Sequence, residues 1–235
     1  MASSAGSITV APGVTTDSAH DGASLQLLGG DSTGSTGGQA LVRGGDGVVG
    51  GDLQLGSGSG TAGVGGDIRV SSGAGSAGFA GGSFTVEAGT AGENAVGGDV
   101  SIAGGLSSGN TGGSVSIRGG ASSFGVGGDL SLSGGSSHSE SSGAVKVSTA
   151  PVIGASANSG DVLVATGAAH HGTVGTIALQ SGDSSSAAGG DVAVRAGSGV
   201  TAGSVNIETG VDSSAAVSGG LHMVGGEVTV ASTDG

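Results

Sequence analysis

The chain has 235 residues, of which 58 are glycine and none is cysteine, tryptophan or tyrosine. Five Lys plus Arg stand against 18 Asp plus Glu, a formal charge of −13, so the basic footprint of a nucleic-acid binder is missing and anionic membranes are repelled. No apolar run reaches the ~18–20 residues that cross a bilayer, and without cysteine there is neither a disulfide nor a thiolate metal site.

Residues 1–6 are small and unpatterned, and Met1-Ala2-Ser3-Ser4 lacks the charged and apolar regions of a signal peptide. Strand-like units then follow in order: Ser7-Ile8-Thr9-Val10, Ser24-Leu25-Gln26-Leu27, a weaker Gln39-Ala40-Leu41-Val42, Asp52-Leu53-Gln54-Leu55, Asp67-Ile68-Arg69-Val70 and Ser83-Phe84-Thr85-Val86. Asp99-Val100-Ser101-Ile102, Ser114-Val115-Ser116-Ile117, Asp129-Leu130-Ser131-Leu132 and Ala144-Val145-Lys146-Val147 continue the series. Asp161-Val162-Leu163-Val164, Thr176-Ile177-Ala178-Leu179, Asp191-Val192-Ala193-Val194 and Ser204-Val205-Asn206-Ile207 complete it. Gly220-Leu221-His222-Met223 and Glu227-Val228-Thr229-Val230 close the chain.

Each unit alternates apolar and other residues with period two, the pattern of a short half-buried strand. Glycine interrupts every run, so no helical spacing survives, and the intervening Gly/Ser/Ala/Thr stretches read as turns. Successive units are 13 to 17 residues apart. Asp67, Asp99, Asp129, Asp161 and Asp191 open every second unit, so the repeat is about 31 residues long and holds two unlike strands.

One repeat cannot bury its own apolar edge, whereas stacked repeats can. The expectation is therefore all-β: a β-solenoid of about eight coils, two strands per coil, its two parallel sheets packed face to face with glycine at the corners. The chain is read as one repeat domain over 1–235, with a lead-in at 1–6, repeats at 7–219 and a C-terminal cap at 220–235. The alternatives are an antiparallel meander or sandwich, an intertwined homotrimer, and a disordered chain. Burial between two narrow sheets does not by itself offset the ordering of so glycine-rich a backbone, so neighbouring subunits, bound ions or flanking repeats must contribute.

Stacked coils would line up Asp52, Asp67, Asp99, Asp129, Asp161 and Asp191 on one edge. That column reads either as a ladder for a hard cation, with Ca2+ the ion open to it, or as carboxylates capping the turns; the capping reading is preferred. The histidines, His20, His138, His170, His171 and His222, have poor ligand spacing. No Gly-x-Gly stretch opens a helix, and no serine has a histidine and an acid fixed beside it. The chain is accordingly expected not to be an enzyme and to carry no cofactor.

The Gly-Gly-Asp-Val-x-Val units with glycine-serine spacers resemble the glycine-rich repeats of phage tail fibres and of large bacterial and algal surface proteins. The resemblance covers most of the chain and implies a non-catalytic role outside the cell or on a particle surface. The functional expectation is thus a structural or surface module: a stalk, filament or adhesion element. An ice-binding β-solenoid and a divalent-cation-binding adhesin repeat are the alternatives, and an extended surface such as ice or polysaccharide is the corresponding partner. The spacing collapses to 7 residues between Leu221 and Val228, so Gly225-Gly226 is expected to turn the chain back as a cap. The uncapped Ser7–Val10 end is left to self-association.

Overall fold

The computed structural model describes residues 6–154, 157–211, 219–225 and 227–230. Among them there is no helix and no strand, so the β-solenoid, its coils and its two packed sheets do not form. The units that alternate so regularly are open segments, and no residue among those described is buried. The reason lies in the glycine doublets. The solenoid needed them as corners that lay one segment on the next; instead, in most connecting loops, they tie the two ends to each other.

The tie is a backbone hydrogen bond that recurs along the chain. The Gly113 N–H donates to the Gly105 carbonyl at 2.8 Å, Gly128 to Gly120 at 2.8 Å, Gly143 to Gly135 at 2.8 Å and Gly98 to Gly89 at 2.9 Å. Gly38, Gly51, Gly66, Gly82, Gly190, Gly203 and Gly219 donate likewise to Gly30, Gly45, Gly58, Gly73, Gly182, Gly197 and Gly210. Each bond closes a small loop whose ends meet at a neck, in the manner of an Ω-loop. The segment that enters the neck and the segment that leaves it make no backbone–backbone hydrogen bond among the described residues. A period-two pattern specifies a strand only where a second backbone runs alongside, and the neck does not supply one.

The residue just before the accepting glycine sorts the necks into kinds. At Gly104 the two backbones touch: a Cβ there would clash with the Gly113 carbonyl oxygen and lie 2.7 Å from the carbonyl carbon. Gly29, Gly44, Gly119 and Gly134 occupy the same position. In a second kind a side chain stands at this place, and the backbones part enough to admit it. Ala88 is an example, its Cβ lying 3.4 Å from where a Cβ on Gly98 would be; Ser57, Ser72, Ser181, Ala196 and Thr209 are the others. Thr149 and Thr166 form a third kind, each with its Cγ2 3.6 Å from the Cβ position of Gly160 or Gly175, and without the Gly-to-Gly bond among the described residues.

Loop tips follow from loop length. In five of the six described loops where eight residues separate donor and acceptor, a serine three residues past the neck position caps the tip; the Gly58–Gly66 loop has Gly60 there instead. The Ser107 hydroxyl accepts from the Asn110 N–H at 3.0 Å, Ser122 from Gly125 at 2.8 Å, Ser137 from Glu140 at 3.0 Å and Ser184 from Ala187 at 2.9 Å; Ser32 and Ser35 do the same at 3.0 Å. In the Gly73–Gly82 and Gly89–Gly98 loops, where the separation is nine, the chain turns through the left-handed region at Gly78 (φ 85°) and Asn94 (φ 61°). Asparagine is among the few side chains that enter it at small cost.

Residues Met1–Ser116 and Ile117–Gly235 form two units. The first contains the necks from Gly29 to Gly113, the second those from Gly119 to Gly219. The turn expected at Gly225-Gly226 lies partly outside the described residues, as do 231–235.

Candidate functional site

The necks hold up a series of six-residue segments, each with two apolar side chains two residues apart. In Asp99–Gly104 these are Val100 and Ile102, which period two places on one side of the backbone. Val100 is 54% exposed and Ile102 72%. The same order holds for Leu53 and Leu55, Leu130 and Leu132, and Val192 and Val194, the first of the pair being the less exposed; at Phe84 and Val86 the order reverses. Apolar residues at loop tips are bare, as Phe124 at 105% and Val200 at 111% show. The paired residues therefore form a series of apolar rails, distinct from the tips and set out at the neck spacing.

The chain exposes 22906 Å². A folded chain of its 21.0 kDa mass exposes about 9,000 Å² and the unfolded chain about 30,000 Å², so only about a quarter of the unfolded surface has been withdrawn from water. A contiguous apolar patch larger than a few hundred Å² is rare on a folded monomer and marks a contact surface. Each rail leaves two apolar side chains in water, and its backbone N–H and C=O groups make no backbone–backbone hydrogen bond among the described residues.

Charge is carried on the outside of these segments. The Arg69 guanidinium donates to Asp67 at 2.6 Å, and Arg43 to Asp46 at 2.8 Å; exposed pairs of this kind contribute about 0–1 kcal/mol. Before the first neck, Asp17 folds a local turn: its carboxylate accepts the Ala19 N–H at 3.0 Å and shares a proton-dependent bond with His20 Nδ1 at 2.9 Å. The Ala19 bond first, and then His20, hold the Asp17 carboxyl below its ordinary value.

Asp52, Asp67, Asp99, Asp129, Asp161 and Asp191 each open a segment directly after a loop. With no stacked coils, the edge that was to align them is gone, and among the described residues they join no group of three or more acidic or histidine side chains able to hold a metal. Side-chain caps of the loop tips come from the serines named above. His138, His170 and His171 lie at bends of loop tips. No cavity occurs among the described residues, and no helix is long and apolar enough to cross a membrane.

These observations overturn the functional expectations built on the solenoid. Without a sheet there is no flat, regular face to match ice, and without stacked coils there is no stalk, filament or adhesion module and no cation-binding adhesin repeat of the kind foreseen. No family model, no curated protein and no solved structure matches the chain.

Sequence reasoning passed over the necks and their serine caps. Their signal is short and legible afterwards: Gly-Gly-x-Ser at Gly104–Ser107, Gly119–Ser122, Gly134–Ser137 and Gly29–Ser32, and Ser-Gly-Asp-Ser at Ser181–Ser184.

Proposed function

We propose that this chain acts by association rather than by catalysis, its rails acquiring strand structure only when a partner backbone lies beside them. The observation that carries the reading is the conjunction of ordered loop closures with rails exposed in both side chain and backbone. A disordered chain would not close the necks. A chain that had finished folding would have withdrawn well over half of its unfolded surface. The non-catalytic part of the proposal rests on composition: alternating Val, Ile and Leu in a Gly/Ser background supplies few groups of chemical reactivity.

Such a chain pays its remaining ordering entropy at the moment of contact. Amide hydrogen exchange on the dilute, isolated chain tests this. The neck amides of Gly98, Gly113 and Gly128 should be protected, while the rail amides of 100–103 and 130–133 exchange close to the free-peptide rate. Rail amides as slow as the neck amides in a dilute monomer would show that the fold is already complete and the reading wrong.

A further inference from the structure

We propose that Asp46 is a site of self-modification: its side chain cyclises onto the Gly47 amide, and reopening of that ring to isoaspartate unlatches the Gly45–Gly51 loop. The change needs no partner and does not depend on the association reading above.

The fold supplies half of the reacting pair. Two of the described loops close over six residues, the Gly51 N–H donating to the Gly45 carbonyl and Gly203 to Gly197, both at 2.9 Å. In each, the second residue past the accepting glycine packs against the carbonyl oxygen two residues further on. A Cβ at Gly47 would lie 2.8 Å from the Val49 oxygen, and one at Gly199 3.2 Å from the Thr201 oxygen. The shortest loop therefore requires glycine at this place. Ser198 precedes that glycine in one loop and Asp46 in the other.

An aspartyl carboxyl is attacked by the following backbone nitrogen most readily when the next residue has no Cβ to crowd the ring. The aspartates that open rails are each followed by Leu, Ile or Val, as Asp52 is by Leu53 and Asp99 by Val100, and are shielded. Asp21–Gly22 repeats the Asp46–Gly47 pair ahead of the first neck, where no loop closes around it, and Asp234–Gly235 lies outside the described residues. Asp46 is open to reaction: its side chain is 86% exposed, and the tip residues Val48 and Val49 are bare. The Gly47 N–H donates no backbone hydrogen bond among the described residues. Arg43 holds Oδ2 of Asp46 at 2.8 Å, an exposed pair of the kind that opens at little cost.

The chemistry balances with water alone. The Gly47 nitrogen forms a bond to Cγ of the protonated Asp46 carboxyl, its own proton is lost, and the carboxyl OH departs as water, leaving a five-membered succinimide. Water then adds to one of the two ring carbonyls. Opening at Cγ restores aspartate; opening at the former main-chain carbonyl gives isoaspartate, of the same mass, with the backbone now running through Cβ and Cγ. One extra atom thus enters the main chain of a loop without slack. Gly47 already presses on the Val49 oxygen, and a Cβ on Gly44 would lie 2.7 Å from the Gly51 carbonyl carbon. The neck bond from Gly51 to Gly45 is what yields.

The test uses the full chain, aged in warm, mildly acidic buffer and cut by trypsin after Arg43 and Arg69. The 44–69 peptide should divide into two chromatographic species of equal mass, with electron-transfer fragmentation placing isoaspartate at residue 46 and leaving Asp52 and Asp67 unchanged. Asp46→Glu keeps a carboxylate within reach of Arg43 but needs a larger ring, and should remove the second species. Ser198→Asp should install the same conversion in the other six-residue loop. In the converted chain the Gly51 amide should exchange about tenfold faster, as loss of one net hydrogen bond allows, with Gly113 unchanged. Conversion of Asp21 without Asp46, or of neither, overturns the site. Isoaspartate at 46 with Gly51 still protected overturns the unlatching, and a Ser198→Asp chain that stays unconverted at 198 overturns the role given to the loop.

Discussion

The neck at Gly104 offers the sharpest perturbation. In Gly104→Ala the new methyl would clash with the Gly113 carbonyl oxygen and lie 2.7 Å from the carbonyl carbon, and what it meets is backbone, which cannot swing aside as a side chain can. The neck has to open, losing the Gly113 N–H bond to the Gly105 carbonyl. A net hydrogen bond contributes about 0.5–1.5 kcal/mol and forced overpacking costs about 1–3 kcal/mol, so closure of this loop should weaken by about 2–4 kcal/mol. At about 1.4 kcal/mol per factor of ten, exchange of the Gly113 amide should accelerate roughly thirty- to several-hundred-fold. The matched control is Ala88→Gly at a neck that already accommodates a Cβ. There the Gly98 bond should persist, with a change of about 1 kcal/mol or less from added backbone freedom. Exchange is followed at the single amides of Gly98 and Gly113 by nuclear magnetic resonance. If Gly104→Ala leaves Gly113 as protected as before, the close approach of the two backbones is not what holds the loop.

Other substitutions probe the remaining devices. Ser107→Ala removes the acceptor of the Asn110 amide and should loosen that tip by about 1 kcal/mol, seen as faster Asn110 exchange with Gly113 little changed. Asn94→Val forces a β-branched residue to φ 61° and should disorder the Gly89–Gly98 loop, whereas Asn94→Gly should be tolerated; line widths at Gly98 report the difference. The Asp17 turn should depend on pH with a defined sign. Because its carboxyl is held below the ordinary value, its stabilisation is complete above the ordinary carboxylate range and is lost as pH falls through the lowered value. The Ala19 amide shift should move at that point, and Asp17→Asn should abolish the movement.

The segments themselves were legible in the sequence: the alternation of Val100 with Ser101 and Ile102, and its return at Val115, mark extended pieces with one apolar side. The punctuation between them was also legible, since Gly-Gly and Gly-Ser runs disfavour regular structure. What the pattern does not encode is where a segment finds its neighbour. A glycine doublet serves equally as a corner that stacks the next segment or as a neck that closes a loop, and the choice depends on backbone geometry that Gly104 and Gly113 adopt together. Composition could not decide it, because both uses require the absence of a side chain. Likewise the alignment of the Asp positions in one column was drawn from stacked coils; in the structure Asp52 and Asp99 each follow directly after a neck. Ser107 and Ser122 were hidden for a different reason. In a chain so rich in serine, a cap is distinguished only by its fixed distance from the neck.

Far-ultraviolet circular dichroism as a function of chain concentration, recorded alongside mass by sedimentation, tests the central claim most directly. If the rails acquire strand structure only against another backbone, the dilute 21.0 kDa chain should show little sheet signal, and the signal should rise together with the mass. A full sheet signal that is independent of concentration in a chain that sediments as a monomer would contradict the account.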